Sequence, residues 1–253
     1  MKNAIFPAIT ALMLMSTSAQ AVTISYEYAL AADGSGKTST LAGVANQSTS
    51  NIFVETFDRT DGTGGLTLSP SQLTVTTING GGFGYAQGNL EGVYAAPAGD
   101  ATHFAYGPNQ GSGVPNAEVN FNYAGLLSTL GTDASLNYFG LYYGSIDTFN
   151  DVTFYNAAGG VIRTVTGTEL IAEFDGVSGN QSDDSSNIYV NLRFSPEEQF
   201  TSFSFTTTSQ AFEVDNLVVG YQVPLNDVPE PASLALLGLG FAGLGFARRR
   251  NKK

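Results

Sequence analysis

Asn187-Ile188-Tyr189-Val190-Asn191-Leu192-Arg193-Phe194 alternates side chains of two kinds along its whole length. Successive side chains of an extended chain point to opposite faces, so Ile188, Val190, Leu192 and Phe194 share one face, and Tyr189, Asn191 and Arg193 the other. The stretch therefore predicts a β-strand with one face buried. The same period recurs on both sides of it. Val119, Phe121 and Tyr123 alternate with Asn120 and Asn122, and Phe203 and Phe205 alternate with Ser202 and Ser204. Further strands are predicted over 22–30, 51–57, 66–68, 73–78, 136–143, 151–156 and 160–166, with Gly, Pro, Asn and Asp clusters between them. Only Thr168 to Phe174 offers a short helix in competition. Many short strands with turn-rich joints predict an all-β fold, a single antiparallel β-sandwich of jelly-roll-like kind. The small, polar, glycine-rich stretches 31–51 and 60–65 lie between strands and read as long surface loops of that one domain.

Composition narrows the chemistry. The 253 residues include 30 glycines and one histidine, with no cysteine and no tryptophan, and 42% are hydrophobic against 13% charged. Such a chain has enough apolar residues for a core and is neither a charge-driven disordered chain nor a coiled coil. Without cysteine there is no Cys-ligated zinc, iron–sulfur cluster or thiol nucleophile, and His103 alone cannot build a multi-histidine site. No nucleophile elbow accompanies His103, which reads as a surface or rim residue. Gly80-Gly81-Gly82 runs into Phe83-Gly84-Tyr85, a strand pattern with no following helix, so it is no phosphate loop.

The two ends have a different character. Lys2, an apolar run from Ala4 to Met15, and Ala19-Gln20-Ala21 predict a signal peptide over 1–21, handled by the general secretion machinery and signal peptidase. The mature chain then begins at Val22. At the other end, Val228-Pro229-Glu230-Pro231 precedes an uncharged run from Ala232 to Ala247 and the basic cluster Arg248-Arg249-Arg250-Asn251-Lys252-Lys253. A membrane helix is predicted there, with the basic stop held in the cytoplasm and the body outside.

Together these C-terminal residues, 228–253, resemble the PEP-CTERM sorting signal. The resemblance implies recognition of Val228, Pro229, Glu230 and Pro231 by an exosortase, an integral membrane protease-like enzyme. It further implies transient anchoring in the inner membrane by the C-terminal helix, processing during export, and a Gram-negative-type host that makes exopolysaccharide. A sorting signal names a route and leaves the activity open.

Between the ends, residues 22–227 hold 4 basic and 21 acidic residues, a formal charge of −17. That excess repels nucleic acid and anionic lipid surfaces, and favours solubility and divalent cations. Within the body, Phe212 and Val214 share one parity while Leu217, Val219, Tyr221 and Val223 share the other. Burying both sets on one face requires a one-residue bulge near Asp215-Asn216. The run from Ala211 to Val219 also resembles the last strand of many PEP-CTERM surface proteins and of jelly-roll carbohydrate-binding modules, whose matching aspartate often ligates a structural calcium. Two roles stay open for Asp215. It either binds calcium with backbone carbonyls and a second acid such as Glu55, or forms a turn-like Asp-Asn pair bonding its own backbone.

Leu136 to Asn150 is similar to the central motif of one group of exosortase-dependent surface proteins, an aromatic strand entering a Gly-Ser-x-Asp turn. Tyr138, Tyr142 and Tyr143 either stack against sugar rings from an exposed sheet or fill the inter-sheet core. Asp175, Asp183 and Asp184 with Asn180, and Asp58 with Asp61, form acidic loops without EF-hand spacing that either gather round a cation or are simply solvated. A glycosidase needs only two carboxylates, and no paired motif singles out a couple. The expected function is that of a non-enzymatic, exported cell-surface or matrix protein associated with exopolysaccharide and biofilm. The alternatives are a carbohydrate-binding module with structural calcium and a glycoside hydrolase or lyase.

Overall fold

Alternation turns into pairing across most of the chain. A computed structural model describes residues 22–109, 116–210 and 212–223. Its strands are β1 (Thr23–Glu27), β2 (Ile52–Glu55), β3 (Thr74–Asn79), β4 (Gly84–Ala86), β5 (Phe104–Tyr106), β6 (Ala117–Asn122), β7 (Leu136–Gly144), β8 (Asn150–Tyr155), β9 (Val161–Thr166), β10 (Ile188–Arg193), β11 (Ser202–Thr207) and β12 (Glu213–Tyr221). All pair antiparallel, in two sheets. The first runs β1-β10-β7-β12-β5-β4, with β2 also on β12; the second runs β3-β6-β11-β8-β9.

One apolar cluster joins the facing surfaces of these sheets. Phe139, Leu141, Val190, Leu192, Val214, Leu217 and Val219 come from the first, and Val119, Phe121, Val152, Phe154, Phe203 and Phe205 from the second. The alternating residues of the opening stretch fall as their parity requires, with Ile188, Val190, Leu192 and Phe194 all in this core. Phe203 lies at its centre, its ring stacked on Phe121 at 5.3 Å and edge-on to Phe139 of the opposite sheet at 4.9 Å. Large rings meeting at such angles fill an inter-sheet gap densely while presenting ring edges to ring faces.

The bulge lies where parity demanded it. β12 shifts register against β7 between Asp215 and Val218, and Asn216 takes a left-handed φ of 47°. Before the shift, β12 pairs with β5 through Glu213 and Val214; after it, the same strand pairs with β2 from Leu217 to Gly220. Asp215 and Asn216 therefore occupy the break between two strands that share one edge of β12.

Three readings need correction, and one open alternative resolves as a helix. Residues 66–68 form no strand, because the amides of Thr67 and Leu68 bond the Glu55 carboxylate instead of a neighbouring strand. The helix α1 (Ala124–Leu130) goes unpredicted: it has no side-chain N-cap and is held by burying Leu126 and Leu127. The competing helix does form as α2 (Gly167–Glu173), capped by Thr166 Oγ1 accepting from the Glu169 amide at 3.0 Å. Residues 31–51 are more than a surface loop, since Ser35, Thr38 and Ser39 are fully buried against the outer face of the first sheet. There Ala42, Ile52 and Val54 pack with Tyr138, Tyr142, Tyr189 and Val218 in a second apolar cluster.

The expected signal peptide over 1–21 and the sorting helix with its basic stop lie outside the described residues. Among the described residues no helix is long and apolar enough to cross a membrane.

Candidate functional site

The outer face of the first sheet concentrates the chain's buried polar groups. A β-bulge re-aims the side chains it carries, and at this one both Asp215 and Asn216 are fully buried. Asn216 ties the 31–51 segment to the sheet: its Nδ2 donates to the carbonyls of Ser35 and Lys37, both at 2.8 Å, and its Oδ1 accepts from Asn46 Nδ2 at 2.5 Å. Asn46 in turn accepts from Thr38 Oγ1 at 2.7 Å. Gly36 takes a φ of +79°, and a Cβ there would overlap the Tyr142 ring. A side chain is thus barred twice over, by backbone conformation and by contact.

The three tyrosines weighed as glycan contacts are all in the interior. Tyr138 and Tyr142 lie on the outer face beneath this segment, and Tyr143 lies in the inter-sheet core. Tyr138 shares a 2.6 Å hydrogen bond with Ser39 Oγ and donates to Asn191 Oδ1. Tyr142 donates to the Ala98 carbonyl, and Tyr189 to the Asn216 carbonyl at 2.9 Å. Their aromatic faces are spent on packing, so the stacking role is withdrawn and the core-filling role stands.

Asp215 meets a partner that parity alone could not suggest. Its Oδ1 accepts the Asn216 amide at 2.7 Å, the local bond of a turn-like Asp-Asn pair. Its Oδ2 has no hydrogen-bond donor, and neither has Oδ2 of Asp100. The two carboxyls lie within hydrogen-bonding reach of each other, and burial together with the Asp100 charge pushes Asp215 well above the usual carboxylate range. Burial also raises Asp100, against the lowering effect of its bonds from Thr102. Ionising together is disfavoured for like charges that close, the more so where burial strips them of solvent.

Glu55, the second acid expected beside Asp215, is committed elsewhere. It accepts from the amides of Phe57, Thr67 and Leu68 and from Thr67 Oγ1, all at 2.7–2.9 Å, and so closes the 56–68 loop. Two free carboxyl oxygens, on Asp100 and Asp215, suit a hard cation in kind. Calcium takes six to eight oxygens, however, and among the described residues no three His, Cys, Asp or Glu gather to hold a metal. The reading of Glu55 as the second acid is therefore corrected, and any cation held by Asp215 and Asp100 would need backbone carbonyls to complete its shell.

The remaining acids behave as local braces. Asp58 accepts from the His103 amide at 2.8 Å and lies 3.2 Å from its Nδ1. Asp61 bonds Thr63, and Asp183 bonds Ser185. Asp184 pairs with Lys37 at 2.5 Å, while Asp175 sits at a left-handed φ of 55°. Glu213 is the exception. It is buried, accepts from the Ala95 amide at 2.9 Å and from Ser145 Oγ at 3.2 Å, and desolvation pushes its carboxyl up to about 7. Sequence reasoning missed Glu213, Asp100 and Asn46. Glu213 had a signal, a charge within a strand otherwise rich in apolar residues; Asp100, in a loop of small residues, had none.

Two antiparallel sheets around a shared apolar core define a β-sandwich kind of body. Its terminal segment carries the narrower assignment, because the family model of the PEP-CTERM protein-sorting motif matches residues 227–250. That motif supports export to the cell surface. No curated protein matches the chain in sequence. Among solved structures, the chain is similar to CpGH89CBM32-6 produced by Clostridium perfringens, at 9% identity and a TM-score of 0.32, over 59% of this chain and 94% of that one. It is also similar to the enzymatically active domain of Bacteriophage CBA120 tailspike protein 4, at 10% identity and a TM-score of 0.33, over 61% of this chain and 21% of that one. A third likeness is to the Clostridium thermocellum endo-1,4-beta-D-xylanase 10B CBM22-1-GH10 modules complexed with xylohexaose, at 9% identity and a TM-score of 0.34, over 70% of this chain and 29% of that one.

Proposed function

We propose that this chain is an exosortase-processed surface or matrix protein whose single domain, residues 22–227, is a jelly-roll-like sandwich that adheres to or structures extracellular polysaccharide, as in a biofilm, without catalysing a reaction. The observation that carries the proposal is the sorting motif at 227–250, joined at the other end by the signal-peptide pattern of residues 1–21. In this reading signal peptidase releases Val22, the apolar run from Ala232 to Ala247 anchors the chain in the inner membrane, and Arg248, Arg249 and Arg250 hold its end in the cytoplasm. Exosortase then acts at the Val228-Pro229-Glu230-Pro231 region. The body's formal charge of −17 supports solubility in the matrix and argues against nucleic acid as partner. No part of this reading runs through calcium.

Intact-mass measurement of the exported protein tests the route. The mature chain is expected to start at Val22 and to end near Val228 to Pro231, and a product that keeps Arg248 to Lys253 in cells with active exosortase overturns it. Co-sedimentation with the host's polysaccharide tests the adhesion. Release of reducing ends from that polysaccharide, lost when two particular carboxylates are removed, replaces the non-enzymatic reading with a hydrolase.

A further inference from the structure

Beside Glu213 the surface opens into two adjoining clefts. The first, about 360 Å³, is lined by Asn89 to Tyr94, Gln181, Gln210 and Glu213. The second, about 340 Å³, runs along Ala96 to Asp100, and Asn89 and Gln181 line both. Each volume lies within the range of small-ligand sites. Two such spaces with a common wall suit a ligand that is extended.

The wall is built and held in place. Leu90 and Tyr94 pair across a tight turn at Gly92, which takes a φ of +74°. The Tyr94 ring packs on Tyr106 of β5 at 4.4 Å. Glu213 clamps the loop's return by accepting the Ala95 amide, and Asn89 Oδ1 does the same for the Ala96 amide at 2.8 Å. Loop and sheet are therefore joined at both ends of the first cleft.

The chemistry of the lining selects a class of ligand. Among the described residues, Asn89 spends only its Oδ1, on the Ala96 amide, and neither Gln181 nor Gln210 has a side-chain hydrogen-bond partner. Carboxamides offer a donor and an acceptor together, which matches hydroxyl groups that both give and take hydrogen bonds. No Lys or Arg lines either cleft, so an anionic ligand finds no counter-charge there. Leu90, Val93 and Tyr94 add apolar surface for C–H faces. Desolvation favours the neutral acid at Glu213, which suits an uncharged ligand.

We propose that the paired clefts around Asn89 and Gln181 bind a neutral, polyhydroxylated chain, a segment of uncharged polysaccharide, with Gln181 and Gln210 hydrogen-bonding its hydroxyls. The proposal rests on the adhesive reading above only for the source of that chain. It assigns the contact to a groove that the sequence did not single out, in place of the buried tyrosines.

Titration calorimetry of the exported protein with maltohexaose, cellohexaose, xylohexaose and hexagalacturonate tests it. At least one neutral hexasaccharide is expected to bind, glucose to bind more weakly, and hexagalacturonate not to bind. Gln181→Ala with Gln210→Ala, at exposed positions whose side chains make no hydrogen bond among the described residues, is expected to weaken binding at least fivefold with an unchanged melting temperature. Gln47→Ala, in a separate cleft between residues 46–48 and 56–60, is expected to leave it unchanged. Binding that survives the double substitution, or that favours hexagalacturonate, overturns the groove. If the host's polysaccharide sediments with the protein while all three neutral hexasaccharides fail to bind, the groove is wrong and the adhesive reading stands. If a hexasaccharide binds the groove but no polysaccharide sediments, the adhesive reading falls and the groove stands.

Discussion

The two faces of the first sheet are both buried, yet by opposite means. The inner face meets the second sheet through Phe139, Leu141, Val190, Leu192 and Val219, which need no partner beyond close packing. The outer face carries Tyr138, Tyr142, Tyr189, Asn191, Asp215 and Asn216, covered by a segment of small and polar residues. Burial of the first kind is non-directional and follows area. Burial of the second kind depends on pairing donors with acceptors, because each unpaired buried polar group, such as Asp215 Oδ2, costs about 1–3 kcal/mol. The inner face thus tolerates approximate shape, whereas the outer face is set by a few specific bonds.

The largest effect is expected on the inner face. Phe203 is fully buried, with ring contacts to Phe121, Phe139, Phe154 and Phe205. Phe203→Ala should cost about 3–5 kcal/mol in denaturant unfolding, while Phe203→Leu should recover much of the loss. If leucine is no better than alanine, the inner face too depends on specific geometry and the contrast fails.

Asn216→Ala should come next, at roughly 2–3 kcal/mol, since it removes the donor to the Ser35 and Lys37 carbonyls and the shortest bond of Asn46 at once. Here a residue of similar volume should not rescue. Asn216→Leu is expected to be as damaging as alanine, and hydrogen exchange should show residues 35–46 losing protection before the inner core.

Tyr138→Phe keeps the ring and removes only the hydroxyl that joins Ser39 and Asn191. A loss of about 1–2 kcal/mol is expected. Phe139→Leu would separate the two faces further, because its effect should track volume alone.

Titration gives the smallest and most diagnostic effect. Asp215, Asp100 and Glu213 are all raised in the folded state, Glu213 to about 7. Groups raised on folding contribute fully below the ordinary carboxylate range and lose that contribution as pH climbs through their folded values. Stability should therefore fall from about pH 4.5 to about pH 7, read by circular dichroism melts. Asp215→Asn removes the buried charge and should raise the melting temperature at the alkaline end by roughly 3 °C, with no gain at the acid end. Calcium and chelator should give the same melting temperature. A calcium-dependent rise that Asp215→Asn abolishes would place a cation between Asp215 and Asp100 in place of a neutral carboxyl.

Much of the inner face was legible before the structure, for one reason. Period two is a property of each strand by itself, so the strands carrying Ile188, Val119 and Phe203 declare their buried sides locally. The bulge at Asp215-Asn216 was legible in the same way, as a break of parity within a single run. The sorting motif at 227–250 was legible as well, because order and composition along the chain are its whole signal.

The outer face was not legible, because its partners lie far apart in the chain and none has a periodic signature. Asn216 bonds the carbonyls of Ser35 and Lys37, Tyr138 bonds Ser39, and Asp215 faces Asp100. Residues 31–51 are polar and glycine-rich, which by composition means solvent; only the polar groups waiting on the sheet turn that polarity into a reason for burial. The sequence by itself determined the strand faces, the bulge and the export signal, each written in a contiguous stretch. Tertiary structure alone decided that Tyr138 and Tyr142 lie beneath residues 31–51, that Glu55 closes a loop and that Asp215 meets Asp100, since a hydrogen bond depends on which distant group the fold brings within about 3 Å.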